Sequence, residues 1–177
     1  MDATSLSPDR FRRCVGEFAT GVTVVIAEHE GQAAGMTLNA FTSVSLRPLM
    51  VLVSLAHGSR TLRAVRGAGR YSVNLLGRDQ RCAAIAFATP DAPFPAAYTV
   101  PGEDGPPVVR QAVATIACEL AQLTRAGDHD LALGRVVSVG HRGGEPLIFH
   151  RGRLGGLVTD AAVPAGHPIG LDEGAGW

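Results

Sequence analysis

One stretch limits what this chain can fold into more than any other: residues 35–55, GMTLNAFTSVSLRPLMVLVSL. Its end, residues 49–55, is an apolar run broken only by Ser54. The run is too short to cross a bilayer and is rich in Val and Leu, so it reads as a strand buried on both faces. Ahead of it, across Pro48, stand the small polar side chains Thr37, Asn39, Thr42, Ser43 and Ser45. Such a cluster suits a rim that holds a polar, planar ligand by many short hydrogen bonds. It suits equally well a Ser/Thr-rich connection between two strands.

The rest of the chain supplies short strands and tight turns around that stretch. Ser7-Pro8 ahead of DRFRRCVGEFAT is a helix start, with a hydroxyl N-cap and proline at the first helical position. Phe11, Cys14, Val15 and Phe18 give the helix one apolar face, and Gly21 is expected to close it. Residues 22–27, VTVVIA, read as a strand that turns at residues 28–31 into a second strand, QAAGMTLN. Beyond the buried run, Ser59 is a helix N-cap, Leu62 and Val65 form its stripe, and Gly67 and Gly69 end it. RYSVNLL reads as a strand and GRDQRCAAIAFA as a short helix capped near Asp79.

Residues 89–107 are dense in proline and are expected to form a long ordered loop or lid. VVRQAVATIACELAQLTR and DLALGRVVSVG then read as two long strands around the turn AGDH, and PLIFHRG as a last core strand. The pattern is mainly β: a small antiparallel barrel of six or seven strands with short helices at its ends. Residues 1–160 form one domain in this reading, and residues 161–177, which lack periodicity, a loosely held tail.

Composition narrows the function classes. A chain of 177 residues with 46% hydrophobic content can bury a sizeable core, and one domain is the default. Its net charge of zero leaves no electrostatic footprint for nucleic acid or an anionic membrane. No apolar run has the length of a membrane helix, and the start MDATSLSPDRFRR is too polar for a signal peptide, so a cytoplasmic protein is expected. All 16 basic residues are arginine, which removes Schiff-base lysines and the P-loop lysine. Cys14, Cys82 and Cys118 make no CxxC pair, so free thiols are expected. The histidines fall at no metal-ligand spacing, so no metal is expected, and GxGxxG and GxSxG are both absent.

Two short segments carry possible chemistry. Ser59, Arg60 and Thr61 open a helix, where free N–H groups, hydroxyls and a guanidinium suit an anion; solvated arginines on a surface helix are the plain alternative. In Gly127-Asp128-His129 the glycine permits a tight turn from which the histidine would project, with Asp128 or Asp130 to orient it. An idle, solvated turn histidine is the plain alternative there.

FATGVTVV, GMTLNAFTSVSL, the apolar strand with residues 59–61 beyond it, YSVNLL with Gln80, and GDHDLALGRV occur in this order. Together they closely resemble the flavin reductase family with the FMN-binding split-barrel fold, the reductase components of two-component flavin monooxygenases. The resemblance runs from about Phe11 to about Leu157. It implies an NAD(P)H:flavin oxidoreductase built as a homodimer of six-stranded antiparallel split β-barrels of Greek-key type, with short flanking α-helices. It implies FMN or FAD as flavin, NADH ahead of NADPH as donor, and a separate monooxygenase that receives the reduced flavin.

By the same resemblance, Thr37, Asn39 and Ala40 would line the flavin ring and ribityl chain. Ser54, Ala56, Ser59 and Thr61, with Arg60 beside them, would surround its chain and phosphate. His129 would touch the nicotinamide and help stack it, as the catalytic residue. Direct hydride transfer asks a protein mainly to stack two rings at near-attack distance, so the lack of a nucleophile or a carboxylate pair is consistent with it. The chain departs from the family pattern at Ala40, where a serine is usual, at Arg47-Pro48-Leu49, and at Leu154, where an aromatic is frequent. A flavin-retaining oxidase similar to the pyridoxamine phosphate oxidases, or a non-catalytic flavin carrier or sensor, are the alternative readings.

Overall fold

The computed structural model describes residues 6–103 and 105–158. Ser7 caps α1 (Pro8–Val15) by accepting from the Arg10 N–H at 3.3 Å. The helix ends at Gly16 and not at Gly21, which lies in the short strand β1 (Thr20–Gly21). β2 (Thr23–His29) and β3 (Gln32–Leu38) form the expected hairpin. Its turn residues Glu30 and Gly31 both have positive φ, as a two-residue hairpin turn demands. β4 (Phe41–Leu46) and β5 (Leu49–Ala56) follow, joined through the cis Arg47–Pro48 bond. α2 (Arg60–Ala68), β6 (Arg70–Leu75) and α3 (Arg81–Ala88) come next. α3 begins after Gln80 with no side-chain cap, so the expected Asp79 cap is not made.

The proline-rich segment contains a small hairpin, β7 (Thr99–Val100) with β8 (Val108–Val109). Two 13-residue strands, β9 (Ala114–Ala126) and β10 (His129–His141), meet at the AGDH turn as expected. The described chain then forms β11 (Ile148–His150) and β12 (Arg153–Gly155). The expected tail, residues 161–177, lies outside the described residues.

The main sheet is antiparallel and has seven strands, in the order β3-β2-β6-β9-β10-β5-β4, where the family resemblance implies six. The extra strand is β4. Its hydroxyl-rich sequence reads as a connection, yet its side chains alternate between half-buried and exposed, as a strand with one wet face requires. PLIFHRG contributes Leu147 to the core but does not join the main sheet: β11 pairs with β1 and β12 in a separate three-stranded sheet. The two edges of the main sheet, β3 and β4, are consecutive in the chain and linked only by Asn39 and Ala40. Three Cα steps reach about 11 Å at most, so the sheet must curl until its edges meet at that corner. No ladder joins β3 to β4 among the described residues, and the barrel is not closed.

Two clusters form the core. Val25, Val53, Leu55, Tyr71, Val73 and Ala132 fill the inside of the curl. Val24, Ile26, Leu76, Ala84, Phe87 and Leu147 pack outside it, beneath α3. β2 feeds both clusters, so it is the strand buried on both faces. β5, expected in that role, buries only Val51, Val53 and Leu55, leaving Met50, Leu52 and Ser54 half-exposed on its other face. Gly35 lets α3 sit on β3, since a Cβ there would lie 2.8 Å from Phe87 Cε1. The proline-rich segment is held by buried polar groups. Asn74 Nδ2 donates to the Val24 carbonyl (2.9 Å), its Oδ1 accepts from the Val109 N–H (2.8 Å), and Ser72 Oγ donates to the Pro107 carbonyl (2.7 Å).

Candidate functional site

The corner between the sheet edges is where the first group of expected residues gathers. Asn39 and Ala40 form the link itself, and both are exposed. The Ala40 carbonyl accepts from the Ser54 N–H at 3.0 Å, which pins the link to β5. A cleft of about 670 Å³ opens there, walled by Phe18, Thr20, Asn39, Ala40, Leu52 and Leu147. Beside it lies a slot of about 290 Å³ between β3, α3 and the β11–β12 hairpin, lined by Thr37, Asn39, Ala84, Ile85, Phe149 and Leu154. Val22 and Asn39 border both spaces, so the two adjoin.

Cleft and slot are mostly apolar with a few polar groups at the rim, the usual make-up of a site for a flat, partly polar ring. Thr37 Oγ1 donates to the Ala84 carbonyl at 2.7 Å, which straps β3 to α3 and leaves only oxygen lone pairs for a ligand. The Asn39 amide makes no hydrogen bond to the described residues, so both its donor and its acceptor are available. Thr20 Oγ1, in a wall residue of the cleft, is the one buried side-chain polar atom without a partner among the described residues. A buried hydroxyl costs stability when unpaired, so a ligand polar group in the cleft would find a ready partner in it. These features fit a planar heteroaromatic cofactor with polar edges.

The second group lies on β5 and β10. Ser54 faces Leu131 and Ala56 faces His129 across the β5–β10 ladder. Strand alternation therefore puts Ser54, Ala56 and His129 on the outward face, while Leu55 and Asp130 point inward and are buried. Gly127, at φ 65°, makes the turn, and His129 Nδ1 lies 2.7 Å from Asp128 Oδ1. A carboxylate can only accept, so Nδ1–H donates, and Nε2 on the far side of the ring is left for a ligand. The hydrogen bond from His129, helped by its charge, holds the exposed Asp128 carboxyl below the ordinary value.

Asp130 has a different task. Its side chain is 4% exposed, and Oδ2 lies 3.3 Å from His57 Nδ1 and 3.4 Å from an Arg66 guanidinium nitrogen. The His57 N–H also donates to the Asp128 carbonyl at 2.9 Å. The turn before α2 is thus docked on the hairpin that carries His129.

The expected anion-binding trio is dispersed. Ser59 Oγ accepts from the Leu62 N–H at 3.1 Å and is the helix cap. Arg60 donates to the Ala92 carbonyl of the proline-rich segment at 2.6 Å. Thr61 is buried against the core. Arg63, which the sequence did not single out, reaches back to the Gly58 carbonyl at 2.6 Å and lies at the helix start. Also unforeseen are His57, Arg66, Thr20 and Phe149, because their placement depends on pairings between distant segments. Among the described residues no group of three or more His, Cys, Asp or Glu side chains could hold a metal ion, and no helix is long and apolar enough to cross a membrane.

Comparison with known proteins adds to this geometry. Residues 15–157 match the family model described as flavin reductase like domain. A probable flavin reductase of Rhizobium meliloti is 38% identical over 170 residues; the match covers 92% of this chain and 55% of that protein, so the chain spans about half its length. The reductase component of a 4-nitrophenol 4-monooxygenase/4-nitrocatechol 2-monooxygenase from Rhodococcus opacus is 38% identical over 153 residues, 86% of this chain and 83% of the relative. Among solved structures, a Streptomyces globisporus NADH:FAD oxidoreductase in complex with NAD and FAD fragments is 33% identical. It superposes with a TM-score of 0.82 over 90% of this chain and 100% of its own.

Proposed function

This chain belongs to the flavin reductase family, and on that footing we propose that it transfers hydride from NADH or NADPH to FMN or FAD and passes the reduced flavin to a separate monooxygenase. The observation that carries this reading is the corner of the curled sheet, where Thr37, Asn39 and Ala40 meet an apolar cleft and slot, with Ser54 tied directly to Ala40. When bound, the flavin supplies the hydride acceptor and the nicotinamide the donor. We read the curled sheet as the split barrel of this family.

The chain's own residues position and enclose. Phe149 and Leu154 wall the slot so that a flat ring can lie against them, and the Asn39 amide offers a donor and an acceptor to its polar edge. Ala40 provides no hydroxyl where the family usually has one. A missing hydrogen bond of about 0.5–1.5 kcal/mol favours a flavin that exchanges readily, as a reductase that hands on its product requires. By the family pattern we assign Ser54, Ser59 and the start of α2 to the ribityl chain and phosphate; the Ser59 oxygen accepts from Leu62, and its O–H remains to donate. His129, fixed by Asp128, offers a ring face and Nε2 to the nicotinamide. No residue forms a bond to substrate, in keeping with the absence of an activated nucleophile at this corner.

Self-association is part of the proposal. α1 buries none of its residues, and Phe11, Val15 and Phe18 stay exposed, as do Val44, Leu46 and Leu49 beside the β4 edge. Apolar groups left in water on a helix and a sheet edge support a homodimer. Three free cysteines and the use of NAD(P)H support a cytoplasmic setting. The test is steady-state oxidation of NADH and NADPH with and without added FMN, FAD or riboflavin. Turnover that rises and saturates with free flavin supports the reductase; a yellow protein indifferent to both nucleotides rejects it.

A further inference from the structure

The β11–β12 hairpin has two faces of opposite character. Its turn, Arg151-Gly152, has positive φ at both residues, so the two strands fold back in tight register. Phe149 pairs with Leu154, and these two wall the apolar slot. His150 pairs with Arg153, and by strand alternation both stand on the other face. That face lines a separate cleft of about 710 Å³, with Ala19, Arg151 and Gly156 around it. Leu154 borders both slot and cleft, and Ala19 borders the 670 Å³ cleft as well.

The charges in the cationic cleft are unequally satisfied. Arg151 Nε donates to Glu17 at 2.9 Å, and Arg78, whose guanidinium lies against Gly156, pairs with Glu145 at 2.9 Å. Arg153 has no hydrogen bond or ion pair with the described residues. Arg153 therefore presents an exposed guanidinium to this cleft with no carboxylate of its own, across the strand pair from His150, and an anion seated in the cleft would meet both side chains. Resting on the flavin reductase reading, we propose that His150 and Arg153 clamp the pyrophosphate of an adenine dinucleotide whose ring system lies in or beside the slot on the hairpin's other face. The shared chemistry is the dinucleotide pyrophosphate, carried by both FAD and NAD(P)H. A guanidinium fork is suited to it, because it donates two parallel hydrogen bonds to phosphate oxygens.

The test measures binding apart from turnover. Riboflavin, FMN, FAD and NAD⁺ are titrated into wild type, Arg153→Gln and Arg153→Lys, with circular dichroism to show that the exposed substitutions leave the fold intact. Arg153→Gln should weaken FAD or NAD⁺ by about tenfold, the size of one lost charge-assisted hydrogen bond, and leave riboflavin unchanged. Arg153→Lys should recover part of the loss, and added salt should weaken wild type more than the Gln variant. A loss confined to FAD assigns the clamp to the flavin. A loss for NAD⁺, matched by a raised KM for NADH with riboflavin as acceptor, assigns it to the donor. A loss for FMN equal to that for FAD, or equal affinities in all variants, overturns the proposal. Absence of NADH turnover in wild type would instead reject the reductase reading on which it rests.

Discussion

His129 is held by Asp128 and not by Asp130: its Nδ1 lies 2.7 Å from the Asp128 carboxylate, while Asp130 turns inward to His57 and Arg66. Two carboxylates flank one histidine: Asp130 lies within β10 and points inward, whereas Asp128 sits in the turn before the strand, outside its alternation, and reaches the ring. One orients the ring at the surface, and the other anchors the turn that leads into α2.

His129→Ala should therefore impair the donor step and spare flavin. The expected result is a KM for NADH raised, or a hydride-transfer rate lowered, by about tenfold, with flavin affinity within about twofold of wild type. Asp128→Asn should give a smaller effect in the same direction. Asp128 keeps its charge below the usual carboxylate range, so its contribution is present above its unfolded pKa and lost as pH falls through the depressed folded value. Stopped-flow reduction of flavin as a function of NADH concentration and pH measures both effects.

Asp130→Ala should behave in the reverse manner. Removing a buried carboxylate leaves His57 and Arg66 without their shared acceptor and loosens the turn before α2. Because both partners are substantially exposed, the stability loss is expected to be about 1–3 kcal/mol, seen as a lower urea midpoint. An unchanged midpoint would show that this anchor contributes nothing to folding.

Asn74→Ala removes three hydrogen bonds from a fully buried side chain. The Val24 carbonyl and the Val109 N–H lose a partner, at a cost of about 2–4 kcal/mol. Val109 anchors the end of the proline-rich segment, so limited proteolysis of the variant should cut first within residues 89–107. Cleavage spread evenly along the chain would place the anchor elsewhere.

The three thiols should separate by reactivity. Cys14 and Cys82 are exposed, whereas Cys118 is buried and its thiol is pushed up to about 12 by desolvation. In the native protein two thiols should react with an aromatic disulfide at mildly alkaline pH, and the third only in denaturant. A raised folded pKa also means stability that is full below the unfolded value near 9.0 and falls as pH climbs toward about 12. Urea midpoints measured across that window should decline, with Tyr71, raised by burial for the same reason, adding to the slope at the upper end.

Local signals made much of this fold legible. The Ser7-Pro8 start, the β2–β3 hairpin, the capped α2 and the long β9–β10 hairpin all follow from residues within a few positions of each other. Properties that depend on partners far away in the chain were not legible. Residues 49–55 looked buried on both faces because a strand packed on one side by core and bordered on the other by Leu131 and Leu133 has the same composition. β4 was hidden because hydroxyl side chains suit a wet strand face as well as a loop. At the site, Thr37, Asn39 and Ala40 could be named from their motif, but the slot they border is finished by Phe149 and Leu154, more than a hundred residues away. The Ser59–Arg60–Thr61 cluster resembled an anion site because sequence does not reveal that the hydroxyl of Ser59 caps its own helix or that Arg60 reaches across to Ala92.

The most direct test of the central claim is anaerobic mixing of catalytic amounts of the protein with NADH and excess free FMN or FAD, followed by loss of the oxidised flavin absorbance. The account predicts many turnovers per protein chain, with a rate that saturates in both flavin and donor. Flavin that stays oxidised, or a single reduction of flavin retained by the protein with none of the free pool consumed, would contradict it.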